Sequence, residues 1–194
     1  ILDGAMNSGV GSMTLIPSTA QAVDIGTANA GTFVVTDAEL NNITTSGTFT
    51  IGSANAAPVV VDNVTSPAGI SGVFAVISGS TINFINNLSS FTAGLSLTAN
   101  DAITQSVGIT GTTLTAKTKK AGGAAITLDS TANDFTTVSL ASRNAADNAN
   151  DAGAITYKDA TGFDIASIAT TNNATLTAAT GSISDSGAST IGGN

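Results

Sequence analysis

The sequence predicts an all-β chain wound as a right-handed parallel β-helix, a β-solenoid with roughly 20–24 residues per coil. Three observations carry this. Short β-rich runs recur along the chain, each followed by a corner of Gly, Asn, Asp or Ser. Of the 194 residues 42% are hydrophobic, yet only 4% are aromatic and 9% charged. That supply suits a thin core of Val, Ile, Leu and Ala better than a broad globular one. Helical periodicity is nearly missing, apart from a short turn expected at Asp37 to Ile43.

The runs begin with Thr32–Thr36 (TFVVT), Thr48–Gly52 (TFTIG), Val59–Val64 (VVVDNV), Val73–Ile77 (VFAVI) and Thr81–Ile85 (TINFI). Leu95–Ala99, Ala102–Val107, Thr113–Thr118, Ala125–Ser130 and Thr136–Ser142 follow. Ala154–Ala160, Phe163–Thr170, Ala174–Thr180 and Ser182–Ser184 complete the series. Matched centres in the second half (Leu114, Ile126, Val138, then Ile155, Ile165, Leu176) are spaced as a sandwich, barrel or solenoid requires. The solenoid is favoured because the runs are alike, and because the turn pairs of tight hairpins are rare: only Asp3-Gly4 occurs. Two strands per coil then give about eight or nine coils and a rod of about 40 Å, at about 4.8 Å per coil. Asn, Ser and Thr outside the apolar positions can stack on their own kind from coil to coil. The whole chain, 1–194, reads as one solenoid segment, with a first repeat block over 31–94 and a second over 95–194. No amphipathic capping helix is evident at either end, so the segment is expected to be one length of a longer rod. The opening Ile-Leu-Asp-Gly has neither a Met nor a signal peptide, as expected of a processed chain or a piece of a larger one.

Composition also excludes functions. Positive mean hydropathy, three Pro and many β-branched residues argue for order over disorder. Thirteen acidic and five basic residues give a net charge of −8. Lys117, Lys119, Lys120, Arg143 and Lys158 are too few to neutralise a phosphate backbone or to hold an anionic membrane, so neither partner is expected. The Lys117/Lys119/Lys120 group reads as a solvated turn. No apolar run approaches the length of a membrane helix, so no membrane insertion is expected. The lack of Cys fits a cytosolic or a bacterial exported protein.

Two stretches resemble a known family. Gly31–Val64 carries Asp37-Ala38-Glu39-Leu40 after a β-run, then Ile43, then Thr50-Ile51-Gly52-Ser53. In this it is similar to the repeats of filamentous-haemagglutinin-type proteins exported by two-partner secretion. Leu95–Ser142 and Ala152–Gly187 resemble the arrays that follow such repeats. The resemblance implies a long secreted β-helical chain at a bacterial cell surface, acting as adhesin, haemagglutinin, biofilm scaffold or toxin carrier. The secretion-signal motifs of that family are not found, which points to a central or distal part of a shaft.

Chemistry is scarce. Without His or Cys, no Ser-His-Asp or Cys-His arrangement and no usual zinc site can be built, so no enzyme activity and no cofactor are expected. Carboxylate pairs for glycoside hydrolysis would be Asp129 with Asp134, or Asp159 with Asp164, but each flanks a corner where Asp is an ordinary turn residue. The weak candidate for calcium is Asp147, Asn148, Asn150 and Asp151, which lacks the spacing of an EF-hand loop and otherwise reads as a solvated loop. Sequons at Asn42, Asn63, Asn87 and Asn173 occur at the rate that abundant Asn and Thr produce by chance. Thr48/Thr50, Thr113/Thr115 and Thr175/Thr177 are too scattered for an ice-binding array.

The leading expectation is a structural or adhesive shaft of an extracellular bacterial fibre. Its partners would be further coils of the same chain, other copies end to end, and a surface glycan or protein receptor. The alternative is a subunit that assembles head to tail into a filament. A polysaccharide-binding or -degrading β-helix ranks below both, since one Tyr, seven Phe and no Trp offer little for sugar stacking.

Overall fold

A computed structural model describes residues 4–27 and 32–193. Gly31, the first residue of the expected first block, lies outside them. In chain order the first coils hold β1 (Met6–Gly9), β2 (Met13–Leu15), β3 (Val23–Gly26), β4 (Phe33–Thr36), the short helix α1 (Asp37–Leu40), β5 (Ile43–Thr45), β6 (Phe49–Ser53) and β7 (Val59–Asp62). The middle holds β8 (Phe74–Ser78), β9 (Ile82–Ile85), β10 (Ser89–Ser90), β11 (Gly94–Ala99), β12 (Ile103–Gln105), β13 (Ile109–Lys119) and β14 (Ile126–Leu128). The last coils hold β15 (Asp134–Arg143), β16 (Ile155–Asp159), β17 (Phe163–Thr170), β18 (Ala174–Ala178), β19 (Ile183–Asp185) and β20 (Thr190–Ile191).

All pairings between these strands are parallel, and they form a β-solenoid of about six turns. One sheet runs β2-β6-β8-β11-β13-β15-β17-β19, with β10 and β20 beside it; the facing sheet runs β4-β3-β7-β9-β12-β14-β16-β18. A short third face pairs β1 with β5. In the first sheet the register carries Met13 onto Phe49, Phe74, Leu95, Leu114, Val138 and Ile165 in successive coils. In the second it carries Val23 onto Val59, Ile82, Ile103, Ile126, Ile155 and Ala174. These columns point inward, and from Val23 to Ile155 and from Phe49 to Ile165 they are buried. Alternation along each strand sends the next residue outward, so sequence period two becomes one apolar wall per sheet.

From Phe49 to Ile165 the coils take 25, 21, 19, 24 and 27 residues. The expected range of roughly 20–24 is therefore its centre rather than its limits. Only the first coil departs widely, because Met13 pairs with Phe49. Between them the chain leaves the stacking order: β4 pairs with the outer edge of β3, and α1 returns it to β5, which lies on β1. This detour and the loop after β15 lengthen their coils, so the chain makes fewer turns than the eight or nine expected from roughly 20–24 residues per coil. The helix forms because Thr36 caps it: its hydroxyl accepts from the Glu39 N–H while the Glu39 carboxylate accepts from the Thr36 N–H at 2.8 Å, a reciprocal capping box. Leu40 is buried in the core, and Asp37 reaches the N–H of Thr65 at 2.8 Å. The Asp37-Ala38-Glu39-Leu40 motif is thus a structural device. Gly52 of the Thr-Ile-Gly-Ser motif has φ +89°, and a Cβ there would lie 2.1 Å from the Ile77 carbonyl oxygen of the next coil.

Candidate functional site

The inside of the solenoid holds two polar ladders that follow its corners. In one, Ser78, Thr118, Ser142 and Thr170 are fully buried where the chain leaves the first sheet. Ser78 Oγ donates to Ala57 O at 3.2 Å, Thr118 Oγ1 to Ala124 O at 2.8 Å and Thr170 Oγ1 to Gly153 O at 2.7 Å, while Ser142 Oγ accepts from Gly153 N at 3.0 Å. The second ladder serves the opposite corner. Val64 N donates to Ser89 Oγ at 3.2 Å, Ile109 N to Asn133 Oδ1 at 3.0 Å, and Phe135 N to Asp159 Oδ2 at 3.0 Å. The Thr118–Ala124 and Ser142–Gly153 bonds close a corner within one coil, and the other five tie one coil to the next. Among the described residues no buried side-chain N or O lacks a hydrogen-bond partner. The abundant Ser, Thr and Asn therefore bond chiefly to backbone at the corners, rather than only to their own kind.

The carboxylates proposed for hydrolysis do not share a cleft. Asp159 is fully buried and accepts from the Tyr157 hydroxyl and the Thr161 N–H as well as from Phe135. Asp164 sits between inward-facing Phe163 and Ile165, and so points out of the wall. There it accepts from Ser186 and from Ser184, bonds that hold its carboxyl below the usual range. Asp134 is exposed and bonds Thr161 Oγ1 at 3.1 Å, and Asp129 is exposed at its own corner. Burial and the neighbouring Asp159 carboxylate push the Tyr157 phenol upward, so it stays a neutral donor. The rings at Phe49, Phe74, Phe84, Phe91, Phe135, Tyr157 and Phe163 are all buried, and only Phe33 is half-buried. No aromatic platform faces solvent among the described residues.

The loop 144–151 leaves the wall after β15 and returns before β16. Asp147, at φ 58°, is its pivot. Lys117 Nζ lies 2.6 Å from its carboxylate, Arg143 Nε 3.3 Å and Lys119 Nζ 4.0 Å. Burial alone would raise the Asp147 pKa, but the bond and charge of Lys117, with Arg143 and Lys119, hold it below the usual carboxylate range. Asn150 Oδ1 accepts from Arg143, Asn148 Oδ1 accepts from Asn144 at 2.8 Å, and Asp151 accepts from Gly122 N at 3.0 Å and Ala152 N at 2.8 Å. Each of the four oxygen-bearing residues considered for calcium thus faces a protein donor, and a cation would first have to displace Lys117 and Arg143. Among the described residues no group of three or more His, Cys, Asp and Glu is arranged to hold a metal ion. Lys120 pairs with Asp101 at 2.7 Å, and the three lysines expected to form a solvated turn are ion-paired instead, with Lys117 and Lys119 on β13 and only Lys120 beyond it.

The outer wall shows one array that the sequence hides. Thr104, Thr127, Thr156 and Thr175 occupy one outward column of the second sheet in consecutive coils. Their unequal spacing, interrupted by the loop 144–151, conceals the column until the coil boundaries are known. The Thr-x-Thr triplets do not join it as one array: Thr50 and Thr115 belong to the first sheet and Thr175 to the second.

No curated protein matches the chain, and no solved structure does either. A family of repeats of unknown function, DUF5649, matches residues 70–142 and 152–194. The break between the two stretches falls on the ion-paired loop. The two matches together span more than half of the residues, and the chain therefore belongs to the DUF5649 repeat family.

Proposed function

We propose that this chain is a length of structural shaft in a secreted or surface-anchored bacterial fibre, of the filamentous-haemagglutinin type exported by two-partner secretion. The supporting observation is the unbroken parallel ladder: both long sheets run the length of the rod, and buried polar corners lock each coil to its neighbour. Such an object is stiff, is lengthened by adding coils, and leaves few strand ends for a protease. The role is mechanical, with no catalysis. The shaft carries a receptor-binding region away from the cell, and the receptor is a surface glycan or protein met elsewhere on the parent fibre. The DUF5649 repeats, the solenoid and the Asp37–Leu40 and Thr50–Ser53 motifs agree with this reading.

Immunogold labelling of intact cells that make the parent protein tests it, with an antibody raised against this segment. Label on the cell exterior or on shed fibres is the expected result. Label that appears only after the cells are permeabilised would overturn the proposal.

A further inference from the structure

The chain carries a net charge of −8, yet four of its five basic residues stand together, at or just beyond the ends of β13 and β15. Lys119 and Arg143 are register partners on these strands, and both point outward because Thr118 and Ser142 point in. Lys117, two residues before Lys119, shares their face. Like charges side by side on adjacent strands repel, and an anion between them relieves the repulsion. Asp147 supplies one: its carboxylate lies 2.6 Å from Lys117 Nζ, 3.3 Å from Arg143 Nε and 4.0 Å from Lys119 Nζ. The other acids of this corner are engaged elsewhere. Asp101 pairs with Lys120, and Asp151 accepts from the N–H groups of Gly122 and Ala152. Three cations thus share one carboxylate, which leaves a local excess of positive charge on an otherwise acidic rod.

The loop that brings this carboxylate is fastened by polar contacts. Residues 144–151 include no apolar side chain larger than alanine. Arg143 donates through Nη1 to Asn150 Oδ1 and through Nη2 to the Asp147 carbonyl at 3.2 Å, so the loop takes up its whole guanidinium. Asp147 sits at φ 58°, a left-handed conformation that its contacts must hold. The side chains of Lys117, Lys119 and Arg143 remain 34%, 28% and 24% exposed, so the cluster lies at the solvent boundary of the wall. Swinging the loop away would uncover two ammonium groups and a planar fork suited to bidentate contact with an oxyanion.

We propose that Lys117, Lys119 and Arg143 form a binding site for the sulfate or carboxylate groups of an acidic polysaccharide, and that Asp147 is an intrachain competitor which the ligand displaces. A single cluster of three cations holds one or two anionic groups of a flexible chain. A nucleic-acid backbone needs a longer track of cations, and Lys158 is the only basic residue outside this corner. The site adds a contact on the shaft itself to the receptor-binding region carried elsewhere, and it stands or falls independently of the shaft reading. Closure by the loop reduces the apparent affinity by the fraction of molecules in which the loop is open.

Isothermal titration of the full chain with a heparin-derived tetrasaccharide at low salt tests the proposal, with circular dichroism to check that each variant is folded. The parent chain should bind weakly, and Asp147→Asn should bind about tenfold more tightly because the site is already open. Lys117→Gln with Lys119→Gln should abolish binding, and added salt should weaken it. In the parent chain the tetrasaccharide should also raise hydrogen exchange within 144–151. No binding by the folded Asp147→Asn chain, or equal affinity with and without the Asp147 carboxylate, overturns the proposal. So does binding that survives loss of both lysines, since the ligand would then sit elsewhere. Inorganic sulfate at the same sulfate concentration is the second arm: if it opens the loop as well as the tetrasaccharide does, the polysaccharide is overturned as the ligand.

Discussion

Asn133 shows how a single side chain holds three coils. Its Nδ2 donates to Leu128 O in its own coil at 3.1 Å and to Lys158 O in the next at 2.9 Å, while its Oδ1 accepts from Ile109 N in the one before. Asn133→Ala leaves those backbone groups unpaired and buried. It is expected to cost ~2–4 kcal/mol, as a lower urea midpoint with an unchanged slope. Tyr157 and Asp159 are the second such pair. Burial and the adjacent carboxylate raise the phenol, so the folded state favours its neutral form. The stability this supplies is complete below the unfolded Tyr pKa of ~10 and is lost as pH rises above it. Asp101 is lowered chiefly by the Lys120 hydrogen bond, and Asp147 and Asp164 are lowered as well. Their contribution is present above the unfolded Asp pKa of ~3.9 and is lost as pH falls through the lower folded values. Urea titrations across pH should therefore show losses at both the acid and alkaline extremes. Tyr157→Phe should remove much of the alkaline loss and leave the acid limb in place.

At the scale of elements, the loop 144–151 and the β4–α1 detour are the two departures from the repeat, and each has its own means of closure. The loop is closed by charge. Asp147→Asn leaves Lys117, Lys119 and Arg143 without their common carboxylate, so the loop should open while the rod stays folded. Since these groups are partly exposed, global stability should fall by less than ~1 kcal/mol. Hydrogen exchange within 144–151 should rise without change in β13 and β15; a global loss of protection would show that the loop is part of the core. The detour is closed by the Thr36–Glu39 capping box and by burial of Leu40. A four-residue helix contributes little by itself, so its retention depends on these contacts.

At the scale of the whole molecule, the coil is the unit that the sequence displays most openly. Runs such as Thr136–Ser142 and Phe163–Thr170 coincide closely with β15 and β17, because alternating small and apolar residues admit only one half-buried strand register. The number of coils was harder to see. β4 has the apolar pattern of a coil strand but pairs on the wrong side of β3, and nothing local in Phe33–Thr36 encodes that choice. The oxygen-rich loop was legible as a protrusion. Its ion pairs were not, because Lys117 and Asp147 are brought together only by stacking β13 on β15.

The central claim is that each coil is a replaceable unit held in register, and removing one coil tests it most directly. Leu95 and Leu114 are register partners, so deleting residues 95–113 brings Leu114 onto Phe74 and keeps both apolar columns continuous. The chain lacking 95–113 should keep the β-sheet circular dichroism of the parent and unfold in one cooperative transition, with a denaturant slope reduced in proportion to the lost coil. Loss of cooperative unfolding in that chain, while a deletion of equal length placed out of register is tolerated as well or better, would contradict the account.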